Sequence, residues 1–178
     1  MKLASTIKLR KVEQKDARGY IELVNYVWRI AYAHIFPEEV FLEREGTAEE
    51  RIKSFDAKKL NDDQTVCFVA EDNSKVVGVM LGTTNSDYEH FKSQGYADLC
   101  VLYVLPEYQG QGIASKLKEI FLDFAKEKGY DKFVIGVLKE NHKARLIYEK
   151  WGGKLDEYAS FITKLGKNYD EVFYVYDI

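Results

Sequence analysis

Val101-Leu-Tyr-Val-Leu-Pro-Glu-Tyr-Gln-Gly-Gln-Gly-Ile-Ala-Ser115 is the stretch that decides the fold. An apolar strand runs into a Gln109-Gly-Gln-Gly-Ile-Ala114 turn, and that turn opens a long amphipathic helix. The first turn of a helix leaves backbone N–H groups unpaired, and the helix dipole adds about half a positive charge there. Glycines at 110 and 112 remove the side chains that would keep an anion from that backbone. The pattern points to phosphate binding, most simply the pyrophosphate of a nucleotide-like cofactor.

Rival glycine-rich motifs fit less well. A Walker loop needs Lys and then Ser or Thr after its last glycine, where this chain has Ile113 and Ala114. A Rossmann turn wants G-x-G-x-x-G directly after the strand. Here Ser115 holds the third glycine position and Leu105-Pro-Glu-Tyr-Gln109 is inserted. Glycines that merely allow close packing at a helix start remain the plain structural alternative.

A second block changes that balance. The pattern Gln-x-x-Gly-x-Ala at 109–114 resembles the pyrophosphate motif of the GCN5-related N-acetyltransferases (GNAT). Asn141-His-Lys-Ala-Arg-Leu-Ile-Tyr-Glu-Lys-Trp-Gly152 resembles that family's downstream Asn-x-x-Ala-x-x-x-Tyr-Glu-Lys-x-Gly. The diagnostic residues lie between 98 and 153, and the layout extends over 7–178. The departures are Gln109 where Arg is commoner, Ala114 where Gly is commoner, and Trp151-Gly-Gly153 where the family has a hydrophobe, Gly and Phe.

The resemblance implies an α/β fold with a central, mostly antiparallel twisted sheet, a splayed parallel strand pair and helices on both faces. It implies acetyl-CoA as co-substrate and acetyl transfer to a primary amine of a small molecule or peptide by direct attack in a ternary complex. Backbone groups of Leu102, Tyr103 and Val104 would meet the pantetheine arm, with an N–H near Val104 aimed at the thioester carbonyl. The loop of Gln109, Gly110, Gln111, Gly112, Ile113, Ala114 and Ser115 would cradle the pyrophosphate. Tyr148 matches the general acid that protonates the departing thiolate. Asn141 would contact the pantetheine or simply cap a helix. Asp98 falls where some members carry a general base, and a solvated strand-end acid is the other reading. A catalytically silent acyl-CoA sensor on the same fold is the competing function.

Composition sets the frame. The 178 residues suit a single domain spanning 1–178, and 46% hydrophobic with 31% charged residues is ordinary for a globular chain. No apolar run reaches signal-peptide or membrane-span length, so a cytoplasmic protein without membrane partners is expected. Cys67 and Cys100 lie in apolar strand-like contexts and are expected to be buried free thiols. His34, His90 and His142 lack metal-ligand spacing, and no metal is expected. A net charge of −3 argues against a nucleic-acid binder. Residues 33–63 carry nine acids against five bases, which suits a cationic, polyamine-like acceptor or is only a solvated face.

Along the chain, Ile7–Val12 reads as a strand. A helix capped by Asp16 follows, with Tyr20, Leu23, Val24, Val27 and Ala31 at helical spacing. Thr47-Ala-Glu-Glu50 reads as a capping box for a second helix running through Phe55. Thr65–Glu71 and Lys75–Thr84 form a hairpin about Asp72-Asn-Ser74, and 86–94 reads as a loop. After the glycine-turn helix come a strand at Lys132–Val137 and a short helix at Lys143–Lys150. Leu155–Phe161 and Glu171–Tyr176 close the chain as a strand pair. Tyr32, His34, Glu39, Tyr88 and His90 are candidate acceptor-site walls. The aromatic strand with Phe173, Tyr174 and Tyr176 is either core or the edge of a homodimer, so monomer and homodimer both stay open.

Overall fold

Two strands that begin as neighbours and then part company organise the molecule. The structure, a computed structural model, describes residues 6–178. In chain order these form β1 (Ile7–Lys11), α1 (Ala17–Tyr32), α2 (Glu38–Gly46), α3 (Ala48–Lys53), β2 (Thr65–Asp72), β3 (Lys75–Thr83) and α4 (Glu89–Ser93). They continue with β4 (Ala97–Val104), α5 (Ile113–Glu127), β5 (Lys132–Leu138), α6 (His142–Lys150), β6 (Lys154–Lys164) and β7 (Lys167–Asp177). The strands make one sheet in the order β1-β2-β3-β4-β5-β7-β6. Every neighbouring pair is antiparallel except β4–β5, which is parallel and is registered at only two positions, Ala97↔Phe133 and Asp98↔Val134. Beyond them the strands diverge. A bulge helps to turn β4 away: Leu99 faces Gly82 and Val101 faces Leu81, so Cys100 has no partner on β3.

Both faces of β3 are covered, since Val77, Val79 and Met80 are all fully buried. Helix α5 packs against one face through Gly78 and Gly82, where a methyl group on Gly82 would lie 2.2 Å from the Phe121 ring. Helix α1 covers the other with Tyr20, Leu23, Val24 and Val27. Phe173 and Tyr174 are fully buried because β7 lies between β5 and β6, so they belong to the core and β6 is the edge.

Several local expectations need correction. Helix α2 starts directly after Pro37, where only a break was expected. It buries just Val40 and Phe41 among charged residues, too few to print a helical period. Helix α4 is a short turn inside the expected loop, held by the fully buried Phe91. Asp16 does not cap α1: its carboxylate accepts the Glu13 N–H at 2.8 Å and both Arg10 amino groups at 2.6 and 2.8 Å. The Thr47 capping box does not form, because Thr47 also ends α2 and its hydroxyl donates to the Arg44 carbonyl at 3.1 Å. The β2–β3 turn follows its sequence, with Asn73 and Ser74 both at positive φ (49° and 68°) as a type I′ hairpin requires. Cys67 is buried, whereas Cys100, on the bulge, is exposed.

Candidate functional site

A cleft of about 750 Å³ opens where β4 and β5 diverge, between α1, α6 and the N-terminal end of α5. Of the residues singled out in the sequence, Leu102, Tyr103, Val104, Gln109, Gly110, Gly112, Ile113, Ala114, Ser115, Asn141 and Tyr148 line it. Gln111 and Asp98 do not. Tyr32 and His34 reach the wall, while Glu39, Tyr88 and His90 stay outside it.

At one end the backbone forms an arc of donors. Gly110 and Gly112 sit at φ 76° and 84°, which L side chains rarely adopt. The amides from Gly110 through Ser115 make no hydrogen bond among the described residues, and the first helical bond runs from Lys116 N–H to Gly112 C=O at 3.0 Å. A Cβ at Gly110 would meet nothing within 4 Å, so the loop faces open space. Six successive free amides at the positive end of a 15-residue helix form an anion cradle. Gln109 keeps the loop in place: its Nε2 donates to Val104 C=O at 3.0 Å and its Oε1 accepts from Lys143 Nζ at 3.4 Å. Gln111 turns back along the loop, donating to Glu107 C=O at 3.3 Å.

The middle of the cleft is set by β4 parity. Leu105 N–H donates to Val77 C=O at 2.9 Å, which makes the 105–77, 103–79 and 101–81 positions the hydrogen-bonded pairs. Leu102 and Val104 therefore direct their N–H and C=O groups away from β3, toward the widening gap with β5. Gln109 occupies the Val104 carbonyl, and the N–H groups of Leu102 and Val104 face the cleft.

Three phenols line the wall. The Trp28 indole N–H donates to the Tyr103 hydroxyl at 3.1 Å, and the Tyr32 hydroxyl lies 3.4 Å from the same oxygen. Burial and Tyr103 push Tyr32 well above the ordinary phenol range, and the neighbouring Asn141 side chain opposes that shift. The Tyr148 hydroxyl has no protein partner among the described residues. Burial, with Tyr103 second, raises Tyr148 above the usual value, so it is held neutral. Asn141 caps α6, its Oδ1 accepting the Ala144 N–H at 3.2 Å. Cys100, Lys143 and Trp151 also line the cleft and were not singled out as site residues. Cys100 gets there by the bulge, which no local pattern announces. Lys143 and Trp151 lay inside the Asn141–Gly152 block and were legible as neighbours of its motif positions.

Asp98 lies on the paired part of β4, buried, with its carboxylate accepting the Ser86 hydroxyl at 2.6 Å. Burial raises it to about 6 from 3.8, opposed by hydrogen bonds from Ser86 and Cys100 and reinforced by Asp87 and Glu171. Glu171, itself raised by burial, is held by the Tyr88 hydroxyl at 3.0 Å. A carboxyl whose folded value is raised stabilises the fold fully below its unfolded value and loses that contribution as pH climbs through the folded one. Between pH 3.8 and about 6, Asp98 is thus expected to withdraw about 3 kcal/mol of stability. Asp16 and Glu45, both lowered by arginine partners, act in the opposite sense, so the expected result is a difference: across that window the urea midpoint of the wild type should decline relative to that of Asp98→Asn as pH rises.

Among the described residues no helix is long and apolar enough to cross a membrane, and no group of three or more His, Cys, Asp or Glu side chains could hold a metal ion.

Comparison with known proteins agrees with this geometry. The model of the Acetyltransferase (GNAT) family matches residues 17–153. The spermidine N(1)-acetyltransferase of Escherichia coli K12 is 30% identical over 155 residues, 85% of this chain and 75% of that protein. Among solved structures, an N-acetyltransferase from Staphylococcus aureus Mu50 superposes with a TM-score of 0.70 at 25% identity, covering 97% of this chain and 99% of its own. The PaiA N-acetyltransferase from Thermoplasma acidophilum, solved in complex with coenzyme A, shares the fold at TM-score 0.66 and 22% identity, with 93% and 97% of the two chains covered. Most of the chain falls within the family match, and the parallel pair at the centre of its mixed sheet agrees with these neighbours: it belongs to the GNAT acetyltransferase family and is an N-acetyltransferase.

Proposed function

We propose that the chain works as one acetyl-CoA-dependent N-acetyltransferase domain and acetylates a primary amine of a small molecule or peptide in a ternary complex. The observation that carries this reading is the arc of six free amides, Gly110 through Ser115, at the mouth of a cleft whose walls hold unpaired strand amides and a free phenol. When bound, acetyl-CoA supplies the acetyl group as an activated thioester. The Gly110–Ser115 amides bind its pyrophosphate, as the coenzyme A complex of the Thermoplasma relative makes chemically reasonable. The Leu102 and Val104 N–H groups hold the arm along β4, and the Val104 N–H donates to the thioester carbonyl. One such donor is worth about 3 kcal/mol in an acyl transfer. Tyr148, neutral and without a hydrogen-bond partner among the described residues, donates its proton to the leaving sulfur. Asp98 is buried under Ser86 and absent from the cleft wall, which supports water as the acceptor of the amine's proton. The free thiols Cys67 and Cys100 suit a reducing compartment such as the cytoplasm.

The acid-rich surface argues less for a cationic acceptor than its composition suggests. Arg29 takes up Glu38 and Glu45, and Arg18 takes up Glu49. The test is a coenzyme A titration alongside thiol release from acetyl-CoA with spermidine, aminoglycosides, amino acids and short peptides. Binding plus turnover with one amine class is expected. Absence of coenzyme A binding overturns the reading, and binding without turnover of any amine leaves the silent sensor.

A further inference from the structure

Trp28 gathers cations that no carboxylate among the described residues neutralises. The Arg44 guanidinium lies over its indole, 4.1 Å from the ring centroid, and the Lys164 ammonium lies 5.8 Å from the same point. Arg51 stands behind Arg44, donating from one Nη to the Arg44 carbonyl at 2.8 Å and the Asn25 side-chain oxygen at 2.7 Å. The Nε atoms of Arg44 and Arg51 are both buried without a hydrogen-bond partner. None of the three cations pairs with a carboxylate among the described residues. Carboxylates are plentiful on these helices, yet Glu38, Glu45 and Glu49 are turned to Arg29 and Arg18. Burial and then the charge of Arg51 both push Arg44 below its ordinary value, so the pair costs the fold free energy as it stands.

That cost falls beside the cleft. Arg44 lies on the face of the Trp28 indole, and the Tyr103 hydroxyl, on the cleft wall, is bonded to the indole's edge. The guanidinium thus stands one indole away from the Tyr103 hydroxyl, and the charges of Tyr103 and Tyr32 both act on it. A guanidinium presents a planar fork that matches a carboxylate better than an ammonium does.

We propose that Arg44, supported by Arg51 and Lys164, binds a carboxylate on the acceptor, so that the acceptor is a small primary amine bearing a carboxylate and not a polyamine. This rests on the acetyl-transfer reading above, and it adds the substrate class. A carboxylate on Arg44 leaves the amine end of such a molecule to reach past Tyr103 toward the Val104 and Tyr148 side of the cleft. Arg51 and Lys164 contribute charge without needing contact.

The experiment compares free amino acids with their carboxamides, and with spermidine, in acetyl-CoA turnover by wild type, Arg44→Gln and Arg44→Lys. In wild type at least one amino acid should exceed its amide in kcat/KM by about 10–100-fold, the range of a charge-assisted contact. Arg44→Gln should bring that ratio to within about threefold through KM, with kcat moved little, and Arg44→Lys should restore part of it. Coenzyme A affinity should hold in both variants, and the melting temperature should not fall in Arg44→Gln, since Arg44 pairs with no carboxylate among the described residues and sits beside the like charge of Arg51. Acid and amide turned over alike, a ratio that survives Arg44→Gln, spermidine as the preferred acceptor, or no amino acid turned over while coenzyme A binds would each overturn the proposal. Loss of coenzyme A binding in the wild type itself would instead remove the acetyl-transfer reading beneath it.

Discussion

Tyr148→Phe is expected to lower kcat by about 100-fold or more, the usual contribution of a positioned general acid, while the affinity for coenzyme A stays within about twofold. The substitution deletes one oxygen. That oxygen holds no hydrogen bond among the described residues, so its loss orphans no partner there and gives the fold little reason to weaken. The ring keeps its place, 5.9 Å from the Trp151 ring and 6.0 Å from the Tyr174 ring. The phenol is a donor at neutral pH, as an ordinary tyrosine is, and burial raises its ionisation further. Thiol release under saturating acetyl-CoA and calorimetric titration with coenzyme A separate the two quantities. An unchanged kcat would remove Tyr148 from the chemistry and make water the acid.

The second large effect belongs to the glycine loop. Gly112→Asp should weaken coenzyme A binding by about 100-fold while lowering stability by only about 1 kcal/mol. Gly112 is the left-handed residue, φ 84°, immediately before α5. Asp tolerates that conformation better than most side chains. Its carboxylate would lie among the amides of 110–115 and compete with a phosphate for the same donors. Gly112→Ala separates strain from charge, since it should cost similar stability but much less affinity. Both variants need a thermal melt and a coenzyme A titration. Binding by Gly112→Asp within about threefold of wild type would show that the pyrophosphate is held elsewhere.

The parts of the site that were legible in the chain are those built from contiguous residues. The strand, the positive-φ glycines and the start of α5 occupy one short run, and the chemistry of that run is local: free amides, a dipole and no side chains in the way. Asn141 and Tyr148 were legible for the same reason, as one face of one helix and its cap. Placement across the sheet was not. Asp98 and Leu102 share a strand, yet one is sealed under Ser86 and the other faces the cleft, because the parting of β4 from β5 begins between them. Cys100 reads as a core residue until the bulge turns it outward. Thr47 and Asp16 carry good capping chemistry, but the Thr47 hydroxyl turns back to the Arg44 carbonyl of the helix it ends, and Asp16 is taken by Arg10 at the end of β1. Helix α2 has almost no apolar period to read, and what it places over Trp28 could not be seen without the packing of α1, α2, α3 and β6 together.

The short parallel pairing at Ala97 and Asp98 has a consequence for the protein's lifetime. A sheet laced along its whole length owes its integrity to its own rungs. Here β1–β4 and β5–β7 share one brief seam, and beyond it backbone groups on both margins await a third party. Whatever settles between them adds its free energy of association to the resistance of the sheet against unravelling, by mass action. The supply of that molecule then governs how long each copy survives heat and proteases as well as how fast it turns over.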